Sequence, residues 1–301
     1  MGKLLQSPKR FALAFLPIGT LSFGFASILT RLCAFPATII ASGRILIAGL
    51  IIAPFCISQI KELFQKNGFK GFLLLVIPGF ILGLHFQFWV IGIKQTSIAS
   101  GTFILSISPI FFALFERIIS RKKLTIGTLI ALGLVLTGAF WLFRVGHGQL
   151  GRIGDAFCFI SMLLYVAYLL VTRQVSRDVP HLAYIHIIYL WGGLLTLPFA
   201  LLSGDTARVN LADTGSFLAL IALVVFPTLI GHTSYNYAVR TISPLTVSFF
   251  IPLEPILATI AAVPILSEAP DPAKLPAYLL FLSATVFYIL TQRQRQGRQP
   301  Q

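Results

Sequence analysis

The sequence predicts an all-α integral membrane protein in which ten transmembrane helices form two inverted five-helix repeats. Three observations predict it. Charged residues make up 11% of the 301-residue chain and apolar ones 56%, against about 25% charged in an average soluble domain. The charges leave ten apolar stretches, each close to the roughly 20 helical residues that cross a hydrocarbon core about 30 Å thick. The two halves of the chain also echo each other at a shift of 146 residues.

Taken in order, the spans are 11–30, 35–57, 71–93, 96–115, 124–143, 154–172, 182–203, 215–238, 243–266 and 275–292. The first follows Lys3, Lys9 and Arg10 and resembles a signal peptide. Its apolar run is longer than the 7–15 residues of such a segment, so it reads as an uncleaved span. Pro36 opens the second span, and Lys66-Asn67-Gly68 turns the chain before the third. Gly146-His147-Gly148 separates the fifth from the sixth, Asp178-Val179-Pro180 the sixth from the seventh, and Ala269-Pro270-Asp271-Pro272 the ninth from the tenth. Gly and Pro inside the spans mark close packing or broken helices, which membrane helices tolerate when neighbours satisfy the freed backbone groups. The domain reading is a first repeat over 1–145, a second over 146–292, and a basic cytoplasmic tail over 293–301.

Orientation follows from the Lys and Arg distribution. With the N-terminus inside, 16 basic residues fall on the inner side and 6 on the outer, with Arg44 left in the membrane. Both termini are therefore expected in the cytoplasm, and the protein in a bacterial inner membrane. The net charge of +14 sits in short loops, where it suits anionic lipid headgroups and not nucleic acid. Cys33, Cys56 and Cys158 are scattered without metal-ligand spacing; only Cys33 and Cys158 sit near enough to one side for a bridge to be considered. No phosphate-binding loop of the G-x-x-x-x-G-K-[ST] type is present, so no nucleotide hydrolysis is expected, and no cofactor.

At the 146-residue shift Ser97 falls on Ser243, Ser100 on Thr246, Phe103 on Phe249, Pro109 on Pro255 and Ile110 on Ile256. Five spans per half is an odd number, so the second copy enters the membrane from the opposite side. Inverted repeats recur in secondary transporters, whose substrate site lies near the midplane between the copies.

The same residues carry a family resemblance. Phe23-Gly24, Pro36, Arg44 and the stretch Gly92 to Pro109 mark the first half. Gly154-Asp155, Tyr165, Tyr168, Arg173, the run Tyr235 to Pro255, and Leu266-Ser267-Glu268 mark the second. In this order they resemble the EamA group of the drug/metabolite transporter superfamily. The resemblance implies a ten-span permease for small organic metabolites such as amino acids, nucleotide-like metabolites or drugs.

Only two charged residues lie well inside the spans, Arg44 and Glu254. Such a group costs several kcal/mol, by about 2.5–3.5 on insertion scales, unless it is paired or faces water. Arg44 stands about nine residues, roughly 13 Å, from the outer end of its span, too deep to snorkel easily. It meets an anionic substrate group or a buried acid, or else caps backbone carbonyls. Glu254 sits between Pro252 and Pro255, where a kink is expected. Low dielectric favours the neutral carboxyl, which suits proton coupling or a hydrogen-bonded structural role. Each charge exists in one copy only: the counterpart of Glu254 is Ser108, and the seventh span has no Lys or Arg. This points to one cavity shared by Arg44 and Glu254.

His85 and His232 occupy similar places in the third and eighth spans, as proton relays or as cross-helix hydrogen-bonders. Trp89, Tyr168, Tyr235 and Asn236 either line the cavity or serve as ordinary membrane aromatics and polar contacts. Gly24, Pro109, Pro252 and Pro255 are the hinge candidates.

The reading is a secondary carrier, an exporter of a small metabolite such as an amino acid, working by alternating access with protons or a counter-substrate, as monomer or homodimer. Import or exchange of a nucleotide-like metabolite is the alternative. An integral membrane enzyme on lipid-linked substrates is disfavoured, because Asp155, Asp205, Asp213, Glu268 and Asp271 are spread over several loops without an acid/base or metal pattern.

Overall fold

The structure, a computed structural model, describes residues 8–121, 123–146, 150–266 and 271–298. The turn at His147-Gly148, Glu268 and the end of the basic tail lie outside them. Among the described residues all regular structure is helical. Nine helices are long and apolar enough to cross a bilayer: α1 (Phe11–Leu32), α2 (Ala37–Phe55), α3 (Gly68–Gln95), α4 (Ile98–Ile119), α5 (Ile126–Val145), α6 (Ile153–Val175), α7 (His181–Leu202), α8 (Thr214–Thr241) and α10 (Pro272–Arg295). Between the last two lies α9 (Pro244–Ile260), apolar but shorter over its described residues.

Local chemistry explains the boundaries. Ser97 Oγ accepts the Ser100 N–H at 3.0 Å and opens α4, and Ser243 Oγ accepts that of Thr246 at 3.2 Å and opens α9. These capping pairs coincide at the 146-residue shift, and each satisfies a helix-end donor that lipid cannot. Proline then interrupts both helices. The regular turns of α4 run Ile98–Ser106 and resume at Ser108, just before Pro109. In α9 a tight turn over Ile251–Leu253 precedes a helix restarting at Glu254, beside Pro255. A proline has no N–H to give and clashes with the carbonyl four residues back.

The stretch before α3, expected as a turn, is helical from Ile57, and the reversal is concentrated at Gly68. Its φ of +62° and ψ of −171° form a conformation that glycine alone adopts readily.

Because lipid is as apolar as leucine, helix association here rests on close packing. Gly79 and Gly83, one turn apart on α3, lie against the backbone of α7. A Cβ added at Gly83 would come within 2.5 Å of the Gly192 carbonyl oxygen, and one at Gly192 within 2.6 Å of that of Gly79. Large apolar side chains such as Leu73, Leu74 and Ile77 of α3 point outward instead. The most extensive helix pairings are α3 with α6 and with α7, α2 with α7, α1 with α8, and α5 with α10. Every one joins the first half to the second, and exchanging the halves turns the α1–α8 pairing into the α3–α6 one.

Candidate functional site

Arg44 is placed by α2, which starts after Pro36, and its side chain is 1% exposed. Nε donates to Thr228 Oγ1 at 3.0 Å, and the guanidinium carbon lies 4.3 Å above the Phe86 ring centroid. The Thr228 hydroxyl donates in turn to the Leu223 carbonyl at 2.8 Å, and the Tyr189 hydroxyl to the Thr228 carbonyl at 3.0 Å. These contacts orient the cation without neutralising it. The ion pair of Arg208 with Asp205 lies far from here in the chain. Nη2 of Arg44 is buried with no hydrogen-bond partner. A buried charge left in this way is unfavourable by several kcal/mol, unless something else meets it.

Thr228 reaches Arg44 because α8 widens into a π-helical stretch over Val224–His232, with Pro227 inside it. Such widened turns recur at functional sites. Here the widening places both Thr228 and His232 where α8 meets the other helices of the site.

Glu254, 4% exposed, stands at the restart of α9. It and Arg44 line one cavity of about 40 Å³, together with His85, Trp89 and His232. Phe23, Phe86 and Tyr165 complete an aromatic wall, with the His232 ring 4.8 Å from Phe23 and 4.7 Å from Phe86. His85 Nδ1 donates to the Ser161 carbonyl at 2.9 Å, while the Ser161 hydroxyl donates to the His85 carbonyl at 3.0 Å. Tyr165 Oη and His232 Nδ1 are buried without partners, like Arg44 Nη2. Buried polar atoms are nearly always bonded, so several unpaired ones around one cavity set this place apart from the rest of the interior. The cavity holds a few waters and is far below the roughly 300–1,000 Å³ of a small-ligand site. As it stands, the cavity is too small for a metabolite.

The other candidates lie around this centre. The Tyr168 hydroxyl donates to Asn236 Oδ1, Asn236 Nδ2 donates to the His232 carbonyl at 2.8 Å, and the Tyr235 hydroxyl bonds Thr20 at 2.9 Å. These three residues do not line the cavity; they brace the helix that carries His232. Gly24 is a close-approach point, where a Cβ would lie 2.9 Å from the Ala258 nitrogen of α9, and α1 is interrupted at the next residue, Phe25. Pro109, Pro252 and Pro255 sit at the breaks of α4 and α9. Thr228 and Phe86 are absent from the sequence reading. Pro227 was a visible mark next to Thr228, whereas nothing distinguishes Phe86 among 27 phenylalanines. The three cysteines are free and buried, and no group of three or more metal-ligating side chains occurs among the described residues.

Residues 10–144 and 152–290 each match the EamA-like transporter family. Among similar proteins, the uncharacterized transporter YyaM of Bacillus subtilis (strain 168) is 23% identical over 218 residues, covering 70% of either chain. An uncharacterized transporter of Archaeoglobus fulgidus is 23% identical over 207 residues, covering 66% of this chain and 68% of that one. One of Clostridium kluyveri is 19% identical over 231 residues and 74% of either chain. A solved crystal structure superposes with a TM-score of 0.78 at 16% identity, over 95% of this chain and 99% of that one, a likeness of fold.

Proposed function

Because the chain belongs to the EamA-like transporter family, and so is a multi-pass membrane transporter rather than an enzyme, we propose that it is a secondary carrier exporting a small zwitterionic metabolite such as an amino acid. One observation carries the reading: a cation from the first half, Arg44, whose Nη2 has no partner, and a buried acid from the second, Glu254, line the same cavity. A carboxylate on Arg44 and an ammonium on Glu254 would neutralise both at once, and the aromatic wall suits an apolar side chain between them.

The architecture supports a reading of alternating access. The pairings of α1 with α8 and α3 with α6 exchange when the halves exchange, which supports an inverted repeat about an axis in the membrane plane. The basic excess on the side of the N-terminus supports a cytoplasmic position for that face. Glu254 is the group available to carry a proton when no substrate ammonium occupies it.

A thermal-shift screen of the purified carrier over amino acids, nucleosides and nucleotides tests the substrate class. Amino acids are expected to raise the melting temperature, and the shift is expected to vanish in Arg44→Ala. A shift by nucleotides alone overturns the zwitterion reading. Thr228→Val keeps the shape of Thr228 but removes the oxygen that aims Arg44. It is expected to raise the half-saturating concentration by about tenfold, the size of a lost hydrogen bond to a charged group, with unchanged yield of folded protein.

A further inference from the structure

We propose that the membrane face opposite the N-terminus is held shut by a gate of hydroxyl and carboxylate groups that joins the two halves. Thr38, at the start of α2, donates to Asp205 Oδ2 at 2.6 Å, just beyond the end of α7. Thr96, following α3, donates to Asp155 in the first turn of α6. The Ala34 N–H of the α1–α2 loop donates to Ser216 Oγ at 2.7 Å, in the first turn of α8, and Ser216 Oγ donates to Asp213 at 2.7 Å. Those bonds from the Ser216 hydroxyl and N–H hold the Asp213 carboxyl below its usual range, so it stays ionised and keeps Ser216 oriented. Since successive spans alternate in direction, all these residues lie on one face.

Each half also carries a clamp of its own, the first half on this face and the second half on the N-terminal one. Lys94 donates to the carbonyls of Cys33 and Phe35 at 2.9 and 2.6 Å, and Arg31 to those of Ile93, at 3.3 Å, and Thr96. On the N-terminal face Arg240 bonds the Val179 carbonyl and the His181 ring, and Arg173 donates to the carbonyls of Val239 and Ile242 at 2.7 Å each. The acceptor positions 33, 35, 93 and 96 become 179, 181, 239 and 242 at the 146-residue shift, and Lys94 becomes Arg240. Each clamp makes two loops of one half a rigid unit. What differs is the bond between halves. The counterparts of Asp155, Asp205, Asp213 and Ser216 are Lys9, Gln59, Asn67 and Lys70, with no carboxylate among them. Each face thus carries one clamp within a half, and on the face opposite the N-terminus Thr38–Asp205, Thr96–Asp155 and Ala34–Ser216 also join the two halves, so that its opening requires these bonds to break. Thr38, Thr96 and Ser216 are its positioning residues.

The gate rests on the alternating-access reading, but its test needs no substrate. Cys33 and Cys158 are fully buried close to this gate, and Cys56 is fully buried near the other face, just after α2. Burial also pushes the Cys33 thiol up from its usual range, so its unforced reaction is slow. Membrane-impermeant maleimide is supplied to right-side-out and to inverted vesicles, and each cysteine is followed by mass spectrometry. The double variant Thr38→Val/Thr96→Val is expected to speed labelling of Cys33 and Cys158 about tenfold, the population change that losing a charge-assisted hydrogen bond supports. Cys56 is expected to stay at its native rate. Thr38→Ser/Thr96→Ser retains the donors and should label like the native protein. Unchanged labelling of Cys33 and Cys158 overturns the gate. So does a parallel rise at Cys56, which means the hydroxyls hold the fold and not the face. Absence of flux for any metabolite would count against the carrier reading and leave this labelling result standing on its own.

Discussion

Arg44→Met is expected to abolish substrate binding while leaving the empty protein at least as stable as before. The native guanidinium is 1% exposed, keeps a single hydrogen bond through Nε and has no bonded partner at Nη2. Replacing a buried charge by an apolar chain of similar volume is often neutral or stabilising, by about 1–4 kcal/mol in measured cases. Methionine loses the bond to Thr228 and the cation–π contact with Phe86, the latter worth about 0.5–2 kcal/mol, but removes the desolvated cation. Binding responds in the opposite sense. Truncating one partner of a buried charge pair costs about 2–5 kcal/mol, so affinity should fall on the order of a hundredfold or more. Arg44→Lys is expected to fail nearly as badly, because one ammonium cannot both bond Thr228 and present a planar fork to a carboxylate. Melting temperature with and without substrate checks both halves of this expectation. A fall in the stability of the empty protein together with intact binding would make Arg44 a structural residue.

Gly83→Leu is expected to eliminate folded protein altogether. The first added carbon meets the Gly192 carbonyl oxygen at 2.5 Å and Thr196 Cγ2 at 2.7 Å, so the backbone of α7 must move. Overpacking of this kind costs about 1–3 kcal/mol in forgiving cores, and a rigid backbone oxygen is less forgiving than a side chain. The interface joins the two halves, so its loss removes the scaffold of the cavity. Gly133→Leu is the matched control, since nothing lies within 4 Å of a Cβ added there. Size-exclusion chromatography in detergent is expected to give a single symmetric peak for Gly133→Leu and only aggregate for Gly83→Leu.

The membrane class, most helices and the two interior charges were legible because they depend on burial cost, which composition reports directly. Arg44 and Glu254 stand out in the chain for the same reason that they matter in the cavity. Thr228 was not legible, because its role depends on a π-helical widening of α8, a choice among hydrogen-bond partners that hydropathy does not record. Tyr168, Tyr235 and Asn236 look like cavity residues from their polarity, yet each spends its polar atom on a neighbouring helix or turn. The segment from Ile57 to Gly68 reads as a linker because its polarity is mixed, and an interfacial helix has that same composition. The carboxylate bonds between halves were also hidden. The acids look scattered in sequence, and only the fold brings Asp155 to Thr96 and Asp205 to Thr38.

The central claim is that two halves carry a zwitterion past Arg44 and Glu254. Counterflow in proteoliposomes tests it most directly, with vesicles preloaded with an unlabelled amino acid that binds and then exposed to a radiolabelled trace of it. The account predicts transient uptake of unmodified label above equilibrium, absent in Arg44→Met and strongly reduced in Glu254→Gln. Uptake that is unchanged in both variants, or label recovered as a different compound, would contradict it.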